Sequence, residues 1–128
     1  MRARLLAATL AGIIVVGAGA LARQQQPPPR VIHITAERFS FSPSEIKVRA
    51  GEEVELRIQS EDTSHGFHVI DTDINAVVPK RGKGEVSVLF RSEGAGRYTF
   101  ECSRMCGAGH DFMRGVLVVS DPAEAAQR

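Results

Sequence analysis

Short runs of alternating apolar and polar residues recur from residue 31 onward, and they constrain the fold more than any other feature. The clearest runs are HGFHVI (65–70), EVSVLF (85–90), RYTFEC (97–102) and GVLVVS (115–120). A period of two is typical of β-strands with one buried face, and no long segment has the 3.6-residue period of a helix. About seven such strands, spaced roughly 8 to 12 residues apart, predict an all-β antiparallel sandwich or barrel.

Two interruptions in this pattern predict local structure. The alternation changes phase between Ile34 and Phe39, which indicates a bulge or a strand break. Gly51 separates two further alternating runs and is expected to form a hairpin turn. Phe39 and Phe41 alternate as residues of one strand face do, and core packing is the ordinary role of such a pair.

The first 30 residues differ in composition from the rest. Arg2 and Arg4 precede an uncharged apolar run, residues 5–22, that ends in the small-x-small sequence ALA. This pattern is typical of a signal peptide, but a helix of about 18 residues also reaches roughly 27 Å, close to the thickness of a membrane core. We expect residues 1–22 to form one hydrophobic helix, either a cleaved signal or a retained anchor, and residues 23–30 to form a Pro- and Gln-rich linker. The domain is then exported.

The charge pattern excludes a nucleic-acid partner. Two of the 16 basic residues lie in the leader, which leaves 14 against 15 acidic residues. No segment has the concentrated positive charge that phosphate binding requires. The length suits one small domain, which we place at 31–121, with a polar tail at 122–128.

The stretch CSRMCGAGHDFM, residues 102–113, contains both cysteines of the chain. The candidate metal ligands in it are Cys102, Cys106, His110 and Met113. Their intervals average about 3.7 residues, which brings them to one side even of a loosely coiled segment. Two thiolates, an imidazole and a thioether form a soft donor set that favours copper over zinc or an iron–sulfur cluster.

Simpler interpretations of these residues compete with a metal site. Two cysteines in an exported chain usually form a disulfide. Met113 alone would more often fill a core than bind a metal. A cysteine with a histidine base could be a nucleophile, although the sequence shows no orienting carboxylate or substrate pocket. The added histidine and methionine at ligand spacing favour the metal site.

A further ligand is expected from outside this stretch. His65 begins a predicted strand after a polar turn, and alternation places it on the same face as Phe67. His68 points to the opposite face and is expected to be an ordinary strand histidine. The same expectation applies to His33 in the first strand.

The order FSFSPSEIKVRAGEEVELRIQSEDTSHGFHV, then GRYTFECSRMCGAGHDFMRGVLVV, resembles the copper-binding domain of cytochrome c oxidase subunit II. That domain is a cupredoxin, a Greek-key β-sandwich, with a dinuclear copper centre called CuA. The resemblance covers residues 36–119, and its specific element is Cys-x3-Cys-x3-His-x2-Met with an upstream histidine.

The ligands it implies for two copper ions are His65, Cys102, Arg104 through its backbone carbonyl, Cys106, His110 and Met113. In the family the cysteines bridge both ions, each histidine binds one, and the methionine is a weak axial ligand. Mononuclear blue copper proteins have one cysteine here.

Two positions depart from the family pattern. Arg104 stands where many members have a glutamate that also reaches a magnesium ion at the interface with the catalytic subunit, and arginine cannot do so. Typical members also have a tryptophan-rich stretch near the first strands that contacts cytochrome c, whereas this chain has no Trp. Phe39 and Phe41 could offer an apolar docking surface instead.

The resemblance implies an electron-transfer protein that is not catalytic alone. Its donor would be a c-type cytochrome or similar carrier. Its acceptor would be the catalytic subunit of a haem–copper terminal oxidase, in the periplasm or at the outer face of the cytoplasmic membrane. A freestanding periplasmic carrier with the same centre, and a protein that stores or delivers copper, stay open as alternatives.

Overall fold

The computed structural model describes residues 26–125 and 127, and the predicted helix at 1–22 lies outside them. The described part has nine strands. They are β1 (Arg30–Glu37), β2 (Ser40–Ser42), β3 (Glu45–Arg49), β4 (Glu53–Ser60), β5 (His65–Val69), β6 (Asn75–Val78), β7 (Glu85–Arg91), β8 (Gly96–Glu101) and β9 (Arg114–Ser120). A 3₁₀ helix, His110–Phe112, precedes β9, and a short helix α1, Pro122–Ala125, follows it. No helix in this part of the chain is both long and apolar enough to cross a bilayer.

The strands form two sheets, which confirms the predicted all-β sandwich. One sheet has the order β2-β1-β4-β7 and the other β3-β9-β8-β5-β6. The prediction of purely antiparallel pairing is wrong at two places, because β1 and β4 pair in parallel, as do β3 and β9. The chain changes sheet after β2, β3, β4, β6 and β7, so strands that pair in one sheet are not always consecutive in sequence.

The two predicted interruptions have different outcomes. The strand break is confirmed, since a turn at Arg38 and Phe39 separates β1 from β2. Gly51 does lie in a turn, with a φ of 79° that suits glycine. The hairpin prediction is wrong, because β3 and β4 belong to different sheets. Alternation shows which face of a strand is buried but not which strand is its neighbour.

The core between the sheets extends to the end where the candidate ligands lie. Phe41, Phe67 and Phe100 are buried and pack together with ring centroids 5.0 to 5.7 Å apart. Phe67 follows His65 by two residues on β5, so both lie on the inward face of that strand. Phe100 lies on β8, two residues before Cys102, which is the first residue of the loop that follows. The aromatic cluster therefore adjoins both a candidate histidine and a candidate cysteine.

Candidate metal centre

Residues 102–113, here called the ligand loop, connect β8 to β9 at one end of the five-stranded sheet. The N–H of Cys102 donates to the carbonyl of Met113 over 3.0 Å and closes the neck of the loop. His65 is the first residue of β5, which pairs with β8 in the same sheet. The topology thus brings His65 to the loop across 37 residues of sequence.

The two cysteines face each other inside the loop. Their Sγ atoms are 3.7 Å apart. Both are free, and each residue is only 5% exposed. The structure therefore has a buried pair of thiols rather than a disulfide, as a metal site requires.

Each cysteine lies beside one histidine. Nδ1 of His65 is 3.8 Å from Sγ of Cys102, and Nδ1 of His110 is 3.8 Å from Sγ of Cys106. A nitrogen at about 2.0 Å and a sulfur at about 2.3 Å from one metal are at most about 4.3 Å apart, so either pair can share an ion. The donor atoms of His65, Cys102 and Cys106 all lie within 4.8 Å of one another, and the three residues are buried.

The two remaining candidates complete the cluster. The carbonyl oxygen of Arg104 is 3.1 Å from Sγ of Cys102, and Arg104 is an exposed residue. The Sδ of Met113 is 3.9 Å from Sγ of Cys106, and Met113 is fully buried. All six residues named from the sequence therefore gather at one place.

The other histidines make different contacts. Nδ1 of His68 is 3.5 Å from a carboxylate oxygen of Glu101. His33 is exposed on β1. Neither belongs to the group of donor atoms that could hold a metal.

Asp62, a residue that the sequence reasoning did not single out, orients His65. Its Oδ1 lies 2.7 Å from Nε2 of His65, and its carboxylate also accepts hydrogen bonds from the backbone N–H groups of Arg38 and Thr63. Burial raises the pKa of Asp62, but these hydrogen bonds outweigh burial and lower it to about 2. A carboxylate on Nε2 keeps the proton there and leaves the Nδ1 lone pair directed at Cys102.

The thiol of Cys106 is protonated at neutral pH in the metal-free protein. Burial, followed by the hydrogen bond and the charge of Cys102, raises its pKa to about 11, although nearby Arg38 acts in the opposite direction. Only a thiolate binds a metal well, so an ion must displace this proton.

Gly66 allows the ligand loop to approach β5 closely. Its N–H points at Sγ of Cys102 over 3.5 Å. A Cβ at this position would lie 2.8 Å from the backbone nitrogens of Ser103 and Arg104. A side chain here would therefore displace the loop backbone.

Phe39 packs on the other side of the loop. Its ring lies against Gly107 and Gly109, where a Cβ on either glycine would collide with it. Phe39 remains 37% exposed, whereas Phe41 is 3% exposed. Core packing is thus confirmed for Phe41 and wrong for Phe39, because the turn between β1 and β2 carries Phe39 out of the strand.

The chemistry of the donor set fits copper. Two thiols, two imidazoles that present Nδ1, a thioether and a carbonyl converge within the distances given above. Soft sulfur combined with imidazole is the donor set that copper prefers, and a thioether is unusual for zinc.

Comparison with known proteins gives the same indication. A family model described as "Cupredoxin-like domain" matches residues 6–119. The chain is 38% identical to cytochrome c oxidase subunit 2 of Thermus thermophilus over 100 residues, which are 77% of this chain and 71% of that protein.

Solved structures share the fold. A chain of a heme-copper terminal oxidase dimer determined by cryo-EM superposes with a TM-score of 0.63 at 26% identity, covering 71% of this chain and 65% of that one. The periplasmic domain of subunit II of cytochrome oxidase of Bradyrhizobium japonicum superposes with a TM-score of 0.68 at 16% identity, covering 79% and 91%. At such low identity the second likeness shows the fold alone.

Proposed function

This chain belongs to the cupredoxin-like domain family and is a relative of cytochrome c oxidase subunit II, and on that premise we propose that it transfers electrons through a dinuclear copper centre of the CuA type. One observation carries the proposal. The two cysteines lie 3.7 Å apart, and each has its own histidine Nδ1 at 3.8 Å. A mononuclear site needs neither the second cysteine nor this paired arrangement.

In this proposal each ligand has a defined part. Cys102, Cys106, His65 and His110 would be the strong ligands that hold the two ions. The Arg104 carbonyl and the Met113 thioether would be the weaker ligands. Copper, when bound, supplies a one-electron redox couple.

The surroundings favour electron transfer over catalysis. His65 and Met113 are fully buried, and the cysteines nearly so. With protein donors at every strong position, no open coordination site remains for a substrate, unlike in a catalytic metal site. Ligands held by packing and by second partners such as Asp62 change position little between redox states, which suits a relay.

The proposed setting is an oxidase. The donor is a c-type cytochrome or similar carrier, and the acceptor is the catalytic subunit of a haem–copper oxidase. The similarity to subunit II supports this, although the chain spans 71% and 57% of the two Thermus thermophilus proteins it matches. The domain works outside the cytoplasm, exported by the leader at 1–22 that the sequence predicts.

A freestanding carrier is the second candidate, because of Arg104. Its exposed guanidinium has no ion-pair partner within the described residues, and it occupies the position at which the family's glutamate contacts magnesium. Affinity purification of the protein from detergent-solubilised whole native cells separates the two candidates. A co-purifying oxidase subunit supports the first, and a copper-loaded chain without one supports the second.

Copper stoichiometry with optical and paramagnetic resonance spectra tests the centre itself. The full chain, loaded with copper, is expected to hold two ions and to show strong thiolate-to-copper charge-transfer bands with one unpaired electron shared by both metals. A single ion with an ordinary blue-copper spectrum would overturn the dinuclear assignment. One labile, exposed ion would instead favour storage or delivery.

Matched variants identify the ligands. Cys102→Ser and Cys106→Ser are expected to abolish the shared-electron signal, because a hydroxyl is a poor, hard substitute for a bridging thiolate. Met113→Leu should retain two ions with a shifted reduction potential. His68→Ala is the control and should leave the spectrum unchanged. Loss of an ion from this variant but not from His65→Ala would make His68 the ligand instead of His65.

A further inference from the structure

The turn between β1 and β2 touches both segments that carry the candidate ligands. Nε of Arg38 donates a hydrogen bond of 2.6 Å to the carbonyl of Cys106, 68 residues away in sequence. The backbone N–H of the same residue donates to Oδ2 of Asp62 over 2.9 Å. The other oxygen of that carboxylate binds Nε2 of His65.

We propose that Arg38 is a positioning residue for the metal centre: its guanidinium holds the backbone of Cys106 in the ligand loop next to Asp62 and the histidine that Asp62 orients, His65. This inference rests on the proposed function and adds a residue that lies outside the ligand motif.

Residues 104–112 of the ligand loop make few hydrogen bonds to the rest of the described chain. Their internal hydrogen bonds are short turns, such as His110 N–H to the carbonyl of Gly107 and Phe112 N–H to that of Gly109. Near its start, the loop is tied to the sheet by Ser103, which bonds Asn75, and by Cys102, which receives the Gly66 N–H. Within the part of the chain that the structure describes, Arg38 makes the one hydrogen bond from outside the loop to residues 104–112.

The chemistry of the guanidinium suits this task. A guanidinium is a planar cation with directed N–H donors, so its hydrogen bond to a carbonyl oxygen is charge-assisted. Phe39, the next residue, packs on the loop glycines, so the same turn contacts the loop by hydrogen bonding and by van der Waals packing. The contact to Asp62 uses the main chain of Arg38 and persists when the side chain is replaced. A side-chain variant therefore isolates the link to Cys106.

Hydrogen exchange of the metal-free full chain provides the first test. In Arg38→Met, the amides of residues 104–112 are expected to exchange about tenfold faster or more, because a hydrogen bond to a charged group is lost. Amides of β7 should exchange at the native rate.

Two further variants serve as comparisons. Arg38→Lys keeps the charge without the planar fork, and its loop exchange rates should lie between those of Arg38→Met and the native chain. Arg81→Met is the control, since this cation at the same end of the sheet bonds no loop atom through its side chain.

The copper-loaded chain provides the second test. Arg38→Met is expected to keep two ions but to lose them to a chelator about tenfold faster or more than the native chain, with an altered paramagnetic spectrum. Arg81→Met should match the native chain in both respects.

Two outcomes would overturn the proposal. One is that loop exchange and copper loss in Arg38→Met equal those of Arg81→Met. The other is that both Arg38 variants unfold as a whole, since Arg38 would then support the sandwich rather than the loop. If the native chain bound only one ion, the dinuclear function would fail, yet the exchange measurement on metal-free protein would still decide the role of Arg38.

Discussion

Asp62 accepts a hydrogen bond of 2.7 Å from Nε2 of His65, three residues along the chain. The histidine is completely buried, whereas the carboxylate keeps 29% of its side-chain surface exposed. The pair fixes both the tautomer and the orientation of the ring, so that Nδ1 faces Cys102. Partners of this kind are part of a metal site even though they touch no metal.

Removing this carboxylate is expected to weaken metal binding without unfolding the domain. Asp62→Asn should reduce copper affinity about ten- to a hundredfold, because a neutral amide oxygen is a weaker acceptor for the Nε2–H of His65 than the carboxylate that orients it. Competition with a chelator of known affinity measures the change. Glu61→Gln is the control, because Glu61 is the neighbouring residue and bonds no candidate ligand through its side chain. Equal copper affinities of the two variants would show that Asp62 does not support the site.

Asp62 also makes stability depend on pH in acid. Its pKa is about 2 in the folded protein against an ordinary 3.8, so its contribution is complete above pH 5 and is lost as the pH falls towards 2. Since the side chain is 29% exposed, solvent reduces this contribution to roughly 1 to 2 kcal/mol. Denaturant unfolding of the metal-free chain should show native and Asp62→Asn stabilities converging between pH 5 and 2. A constant difference across that range would contradict the assignment.

Copper uptake is expected to release protons and to strengthen with pH. The pKa of Cys106 is raised to about 11, so at pH 7 the incoming metal competes with a thiol proton. Apparent affinity should then rise as the pH rises, by about tenfold per unit for each displaced proton. Calorimetric titration in buffers of different ionisation enthalpy counts the protons. Copper binding at pH 7 without release of any proton would show that Cys106 is already a thiolate.

The ligand loop could be predicted from sequence because its information is local. Four donors at nearly helical intervals need no knowledge of the sheet to be recognised as a cluster. His65 could also be predicted from a local pattern, since alternation in HGFHV places it on the inward face beside Phe67. Asp62 could also have been found, because it lies in the polar turn just before His65.

Other features depended on contacts that no local pattern encodes. One example is the parallel pairing of β1 with β4, and another is the change of sheet at Gly51. Both depend on which strands share a sheet, and the alternation of apolar residues does not specify this. The hydrogen bond from Arg38 to Cys106 spans 68 residues. The exposure of Phe39 depends on a turn that the phase change indicated only as a break.

Gly66 is expected to tolerate no side chain. In Gly66→Ala the new Cβ would meet the backbone nitrogens of Ser103 and Arg104 at 2.8 Å, so the loop must shift. Overpacking against backbone should cost roughly 1 to 3 kcal/mol of unfolding free energy and disturb the copper spectrum. Gly94→Ala is the matched control, because its Cβ would meet the Tyr98 hydroxyl at an ordinary 3.5 Å. A native spectrum in Gly66→Ala would show that the loop backbone can yield at no cost to the site.

Arg104 provides the last prediction, because its main chain and side chain have separate roles. The carbonyl lies 3.1 Å from Sγ of Cys102, whereas the residue is exposed. Arg104→Glu should therefore retain both copper ions. It changes the charge near the centre by two units, and negative charge favours the oxidised metal, so the reduction potential should fall, less so at high ionic strength. Arg104→Gln changes the charge by one unit and should fall between the two in a potentiometric titration. Loss of copper from Arg104→Glu would contradict a role limited to the carbonyl, and an unchanged potential would show that solvent screens this side chain from the centre.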